Sequence, residues 1–202
     1  MKKLVLKTVA ITLTAVLGAC LILFGSLALC APAEVANFFS DLGIYGPSIH
    51  YFEKQYGKSK SLDDLAVLIL KIDAEKDSAL AEKYLNQMLN SSDFRDFCSV
   101  KDAFNGKWDV TTSEYYGGQY SVSLVRNNKF TESLEYCKTF VTKNGYTAYN
   151  PFSVTIAELK ALLTSEQLTA IKSEIQPFTT TNDGDIATAD IVAIDALIAS
   201  KN

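Results

Sequence analysis

The chain has little of what catalytic and metal sites are built from. It holds one histidine, His50, four cysteines and two arginines in 202 residues. One histidine cannot build a histidine-based metal site, and nothing in the sequence sets a nucleophile beside it, so His50 reads as a surface residue. Four cysteines are too few for a disulfide scaffold of this length, and neither C-x-x-C nor C-x-x-C-H occurs. The phosphate loop, the G-x-S-x-G elbow and H-E-x-x-H are all missing. The sequence therefore predicts no enzyme, no cofactor and no metal. Ten glycines and four prolines exclude a collagen-like chain. A net charge of −4 excludes general affinity for nucleic acid. With 48% hydrophobic and 21% charged residues, wholesale disorder and a multi-span membrane protein are excluded as well.

What is present is one long apolar run. No charged residue occurs from Thr8 to Ala33. A helix needs about 20 residues to cross the ~30 Å hydrocarbon core, so this run is long enough. Lys2, Lys3 and Lys7 precede it, Glu34 and Asp41 follow, and the next basic residue is Lys54. That asymmetry predicts residues 1–7 in the cytoplasm, 8–33 as a transmembrane helix or signal anchor in the lipid bilayer, and the rest outside the cytoplasmic membrane. Two other readings share that destination. Cleavage at Ala31-Pro32-Ala33 would release a secreted form, but a signal peptide's apolar region is only ~7–15 residues. Lipidation of Cys20 in Leu17-Gly18-Ala19-Cys20 would put apolar residues where a lipoprotein carries a polar tether. Without the three leading lysines the chain sums to −7, so it gains nothing from an anionic lipid surface. Seventeen lysines against two arginines suit an AT-rich bacterial genome.

Beyond residue 33 the pattern is helical. Phe130, Ser133, Leu134, Cys137, Phe140 and Val141 fall on one face of a 3.6-residue period, and Asn144-Gly145 makes a stop. Tyr116, Tyr120 and Leu124 form a partner face across a turn at Arg126-Asn127-Asn128. A strand hairpin over 119–142 competes with this reading, because Gly117-Gly118 would weaken a helix by about 1 kcal/mol each. Two earlier pairs repeat the unit. Val35, Ala36 and Phe39 face Tyr45, Ser48, Ile49 and Phe52 across Leu42-Gly43. Leu68, Ile69 and Ile72 face Ser78, Ala81 and Leu85. Ser48 and Ala81 are 33 residues apart, and Ala81 and Ser133 are 52 apart, one period plus an insertion over about 90–112 that holds Trp108.

This pattern is similar to the tetratricopeptide repeat, a helix pair of about 34 residues. The match covers residues 34–145; its best copy runs from Val35-Ala36 through Ser48 to Phe52, and Ile69 departs from the small residue expected in the second. The resemblance implies an all-α fold: a transmembrane helix, then an α-solenoid of about three helix pairs with C-terminal capping helices over 146–176. Ser48, Ala81 and Ser133 would sit where paired helices cross. It also implies binding of a protein or peptide partner on the solenoid surface, with Asp63, Asp73, Tyr115 and Arg126 as exposed contacts. The rivals are an accessory subunit of a membrane complex acting through its transmembrane helix, and a surface enzyme using carboxylates.

Helix starts are marked by Ser61 with Asp64, Thr155 with Glu158, and Thr164 with Gln167. Cys98 and Cys137 could form a disulfide tying the insertion to the third pair; a buried free thiol at Cys137 is the alternative. Over 177–202 the sequence predicts a Thr-rich linker, a turn at Asp183-Gly184 and a helix from about Ala187 to Ser200. Asp183, Gly184 and Asp190 resemble half of a dockerin-type calcium loop, with too few carboxylates for a hard cation that takes six or more oxygens.

Overall fold

A computed structural model describes residues 2–105, 110–181 and 184–201. Trp108 and Asp183 lie outside the described residues. Every regular element among those residues is helical, as the apolar period predicts, and the chain divides into two compact units, Met1–Glu75 and Lys76–Asn202.

The first unit opens with α1 (Lys2–Cys30). From Thr12 to Cys30 its mean hydropathy is 2.4, long and apolar enough to cross a membrane, and almost none of it is buried. Pro32 then starts α2 (Pro32–Asp41), because proline at the first helical position lacks only a donor that would be unpaired anyway. Gly43, at φ 71°, turns the chain into α3 (Tyr45–Ser59). α4 (Leu62–Glu75) follows, capped by Ser61, whose hydroxyl accepts the Asp64 amide at 3.1 Å as expected. α3 packs between α2 and α4. Its Ser48 is fully buried and donates to the Ala36 carbonyl at 2.9 Å, so those two helices cross in close contact.

The second unit is built around α7 (Thr112–Arg126), which packs against α5 (Ser78–Leu89), α6 (Phe94–Asn105), α8 (Phe130–Asn144) and α9 (Pro151–Leu159). The segment 119–142 is two helices and a turn, with Asn128 at φ 61°. Helix wins over strand because α7 is capped at both ends and buried on several sides. Thr111 and Glu114 form a reciprocal capping box, a start signal the sequence reading did not use. The two glycines are the reason α7 can be central. A Cβ at Gly117 would meet Tyr136 Oη at 2.9 Å and the Phe140 ring at 3.0 Å; one at Gly118 would meet Val154 at 2.9 Å. α8 therefore closes on one glycine and α9 on the other. Where the three helices meet, Ser121 Oγ lies 2.7 Å from Ser133 Oγ and 2.6 Å from Thr155 Oγ1, all buried.

That placement corrects one expectation. Thr155 is inside α9 and caps nothing; the cap is Asn150, which accepts the Phe152 amide at 2.8 Å, with Pro151 next. Thr164 with Gln167 does form the expected capping box, at the start of α10 (Ser165–Ile175). The linker expected after residue 176 is instead a short 3-10 helix, Gln176–Thr180. The hydroxyls of Thr179, Thr180 and Thr181 each donate to the carbonyl three residues back, which holds the turn. α11 (Gly184–Lys201) then packs on α10, and its Ala187 and Ile194 join a core with Tyr146, Phe152, Leu168 and Ile171.

Candidate functional site

The second unit carries an open groove of about 810 Å³ between α5, α6, α7 and α8. Its wall is aromatic. Tyr120 of α7 and Tyr136 of α8 meet edge-on with centroids 5.0 Å apart, and Tyr136 leads to Phe140 at 6.1 Å. Gly117 is what lets these α8 rings reach α7. Phe94 of α6 faces them from the far side, itself supported by Phe97 at 6.5 Å and Tyr116 at 6.3 Å. Burial raises the Tyr136 hydroxyl well above its ordinary pKa. Burial also raises Tyr120, with the charges of Glu82 and Glu132 adding to it and Lys129 opposing. Both phenols stay neutral and act as hydrogen-bonding, stacking surfaces.

Polar groups complete the lining. Asn86 and Asn90 come from the end of α5, Arg95 and Asp102 from α6, and Lys143 from the last turn of α8. Asp102 is committed to α7, accepting the Thr112 amide at 2.7 Å and its hydroxyl at 2.5 Å. Arg95 and Lys143 are exposed, and neither is in an ion pair among the described residues. The groove thus offers rings, side-chain amides, two cations outside any ion pair and the Asp102 carboxylate.

Cys98 also lines the groove, but burial and the nearby Asp102 charge push its thiol up to about 11. Cys137 lies in the hydroxyl cluster, 3.0 Å from Ser121 Oγ, and burial pushes it up to about 12. Both are free thiols, so the disulfide weighed from the sequence is not formed. The reason is placement: Cys98 faces the groove from α6, whereas Cys137 is enclosed between α8 and α7. Neither is poised as a nucleophile, since the thiolate is the reactive form.

The four contacts expected from the resemblance lie elsewhere. Asp63 and Asp73 are exposed on α4 in the first unit; Tyr115 and Arg126 are exposed on α7 in the second. Arg126 sits 3.6 Å from Glu158 of α9. None of the four lines the groove. The groove residues were missed because four separate helices supply them, although Phe94, Phe97, Cys98 and Lys101 do show a helical period inside the presumed insertion.

Asp190 has a structural partner set. It accepts the Tyr146 hydroxyl at 2.7 Å and the Ser153 hydroxyl at 2.5 Å, tying α11 to α9. No cluster of three or more His, Cys, Asp or Glu side chains suited to a metal occurs among the described residues. His50 is exposed, edge-on to Tyr51 at 5.4 Å. Comparison with protein-family models, with curated proteins and with solved structures finds no match to this chain.

Proposed function

We propose that the chain is a membrane-anchored helical scaffold that binds a protein or peptide partner outside the cytoplasmic membrane. The observation that carries the binding role is the groove: aromatic walls with Arg95 and Lys143 outside any ion pair and one carboxylate, Asp102, held by Thr112, in a chain of net charge −4. Such a site suits a peptide that places an apolar side chain against Tyr136 and Phe140 and a carboxylate against the cations. Asp63, Asp73, Tyr115 and Arg126 are secondary contacts for a partner that extends past the groove.

Two observations support the anchored, repeated architecture. α1 is apolar on every side, as a lipid-facing helix is, and its lysines flank the N-terminal end only, which favours an N-in orientation. The α2–α3 and α7–α8 pairs carry one shared device. Ser133 donates to the Ser121 carbonyl at 3.1 Å, as Ser48 does to Ala36, across the same interval of twelve residues. In this reading the pairs are copies of one tetratricopeptide-like unit, and α9 and α10 close the array.

The test is selection of displayed peptides on the full chain in lipid nanodiscs, with the Arg95→Glu/Lys143→Glu variant as counter-target. Selected peptides should carry Asp, Glu or a free C-terminus and should lose binding to the variant. Peptides that bind both proteins equally contradict the groove as the site.

A further inference from the structure

The first unit exposes apolar side chains at one end of the α2–α3 hairpin. Phe38 is 55% exposed, Leu42 58% and Ile44 45%, all around the turn at Gly43. Single exposed hydrophobics are ordinary on a protein surface; three large ones about one turn are a contact surface.

Three contacts place that turn relative to α1. The Phe24 ring of α1 meets the Phe39 ring of α2 edge-on at 6.1 Å. Phe39 in turn stacks on Tyr51 of α3 at 6.0 Å. Near the far end of α3, Lys58 donates to the Leu29 carbonyl at 2.5 Å. α2 therefore does not continue α1 outward. It turns at Ala31-Pro32 so that the Phe39 ring near its end reaches the Phe24 ring of α1, and the far end of α3 returns to Leu29. At about 1.5 Å per residue, Phe24 lies roughly 9 Å before the end of α1, and its contact with Phe39 holds the hairpin's turn end near that part of the helix. Counted from Thr8, the ~20 residues that hydrocarbon needs end near Leu27, about one turn beyond Phe24.

We infer that the α2–α3 turn, through Phe38, Leu42 and Ile44, is seated in the outer headgroup–acyl boundary of the bilayer that α1 crosses. This rests on the reading of α1 as a membrane span. Asp41, exposed beside Leu42, sets the depth, because a carboxylate is tolerated among headgroups and costly in hydrocarbon. Lys71, which donates to Ser40 Oγ at 2.8 Å, brings a second charge to the same end. The contact is apolar rather than ionic, since residues 34–75 carry more acidic than basic side chains. Seating at two points, span and turn, fixes the hairpin against the membrane instead of leaving it on a swivel.

Tryptophan quenching by brominated lipid tests this on the full chain in phosphatidylcholine vesicles. In a Trp108→Phe background, a single tryptophan replaces Leu42 or, as the anchor control, Leu17. Leu42→Trp should be blue-shifted and quenched more by bromine near the carbonyl end of the acyl chain than near the methyl end. Added anionic lipid should leave that unchanged. Leu17→Trp should be quenched most by the deep bromine. Quenching at 17 with none at 42 overturns the seated turn and leaves the anchor standing; quenching at neither overturns both. As a second arm, Phe38→Trp should be quenched and should lose quenching when Leu42→Asp is added. Quenching that persists in that double variant contradicts the seat.

Discussion

Ser133 donates its hydroxyl to the carbonyl of Ser121 at 3.1 Å, twelve residues upstream and across a helix crossing. Ser48 makes the same bond to Ala36 at 2.9 Å, and each serine is the fourth residue of a 15-residue helix. Both are buried, whereas Ala81, 33 residues after Ser48, is half-buried. Leucine at 48 or 133 should overpack its crossing and cost roughly 1–3 kcal/mol. Ala81→Leu should cost less. Chemical denaturation of the three variants gives the order, and equal losses at all three would contradict it.

The glycines separate in a similar way. Helix propensity alone favours Gly→Ala by about 1 kcal/mol in a helix interior. Gly57 of α3 has open space around it, so Gly57→Ala should stabilise. Gly118→Ala drives a methyl into all three carbons of the branched Val154 side chain and should destabilise by about 1–2 kcal/mol net. Gly117→Ala meets a tyrosine hydroxyl and a ring edge, which yield more easily, so its effect should lie between the two. Thermal melts followed by circular dichroism would show this order.

Thiol reactivity follows from burial. With Cys98 raised to about 11 and Cys137 to about 12, little thiolate exists at pH 8. Alkylation of both should be slower than that of an ordinary thiol by on the order of a hundredfold or more. In denaturant both should alkylate fully without reductant, as intact-mass measurement would show. A mass consistent with a Cys98–Cys137 bond would contradict the free thiols.

Glu82 gives stability a specific pH dependence. Burial raises its carboxyl, but hydrogen bonds from Lys129 at 2.6 Å and Asn127 at 2.7 Å, with the Lys129 charge, outweigh burial and lower it overall. The folded state then holds the proton less tightly than the unfolded chain. The contribution is complete above the unfolded carboxylate pKa of about 4.3 and is lost as pH falls through the lowered folded value. Glu82→Gln should therefore be less stable than the parent at pH 7, and the gap should close as the pH is lowered past that window. A gap that is unchanged in acid would contradict the link.

The helices were legible in the sequence wherever an apolar period met a cap. Phe130 to Val141 with Asn144-Gly145 is the clearest case, and Thr164 with Gln167 another. Thr155 misled because Thr-x-x-Glu matches a capping box by composition, while Asn150-Pro151 carries the stronger start: an amide that caps and a ring with no donor to waste. Gly117-Gly118 read as helix-weakening because propensity is local and their benefit is not. The space they leave is filled by Tyr136, Phe140 and Val154, and nothing in a single chain reading brings those side chains there. The groove was hidden for the same reason, since Arg95 and Lys143 are nearly fifty residues apart.

The most direct test of an anchored scaffold is the topology of the full chain in intact cells. Membranes are extracted with alkaline carbonate, and protease is added to whole cells. The chain should stay in the membrane pellet, and protease should remove residues beyond about 33 from outside while leaving a small membrane-held fragment. Release into the carbonate supernatant, or a chain fully protected from external protease, would contradict it.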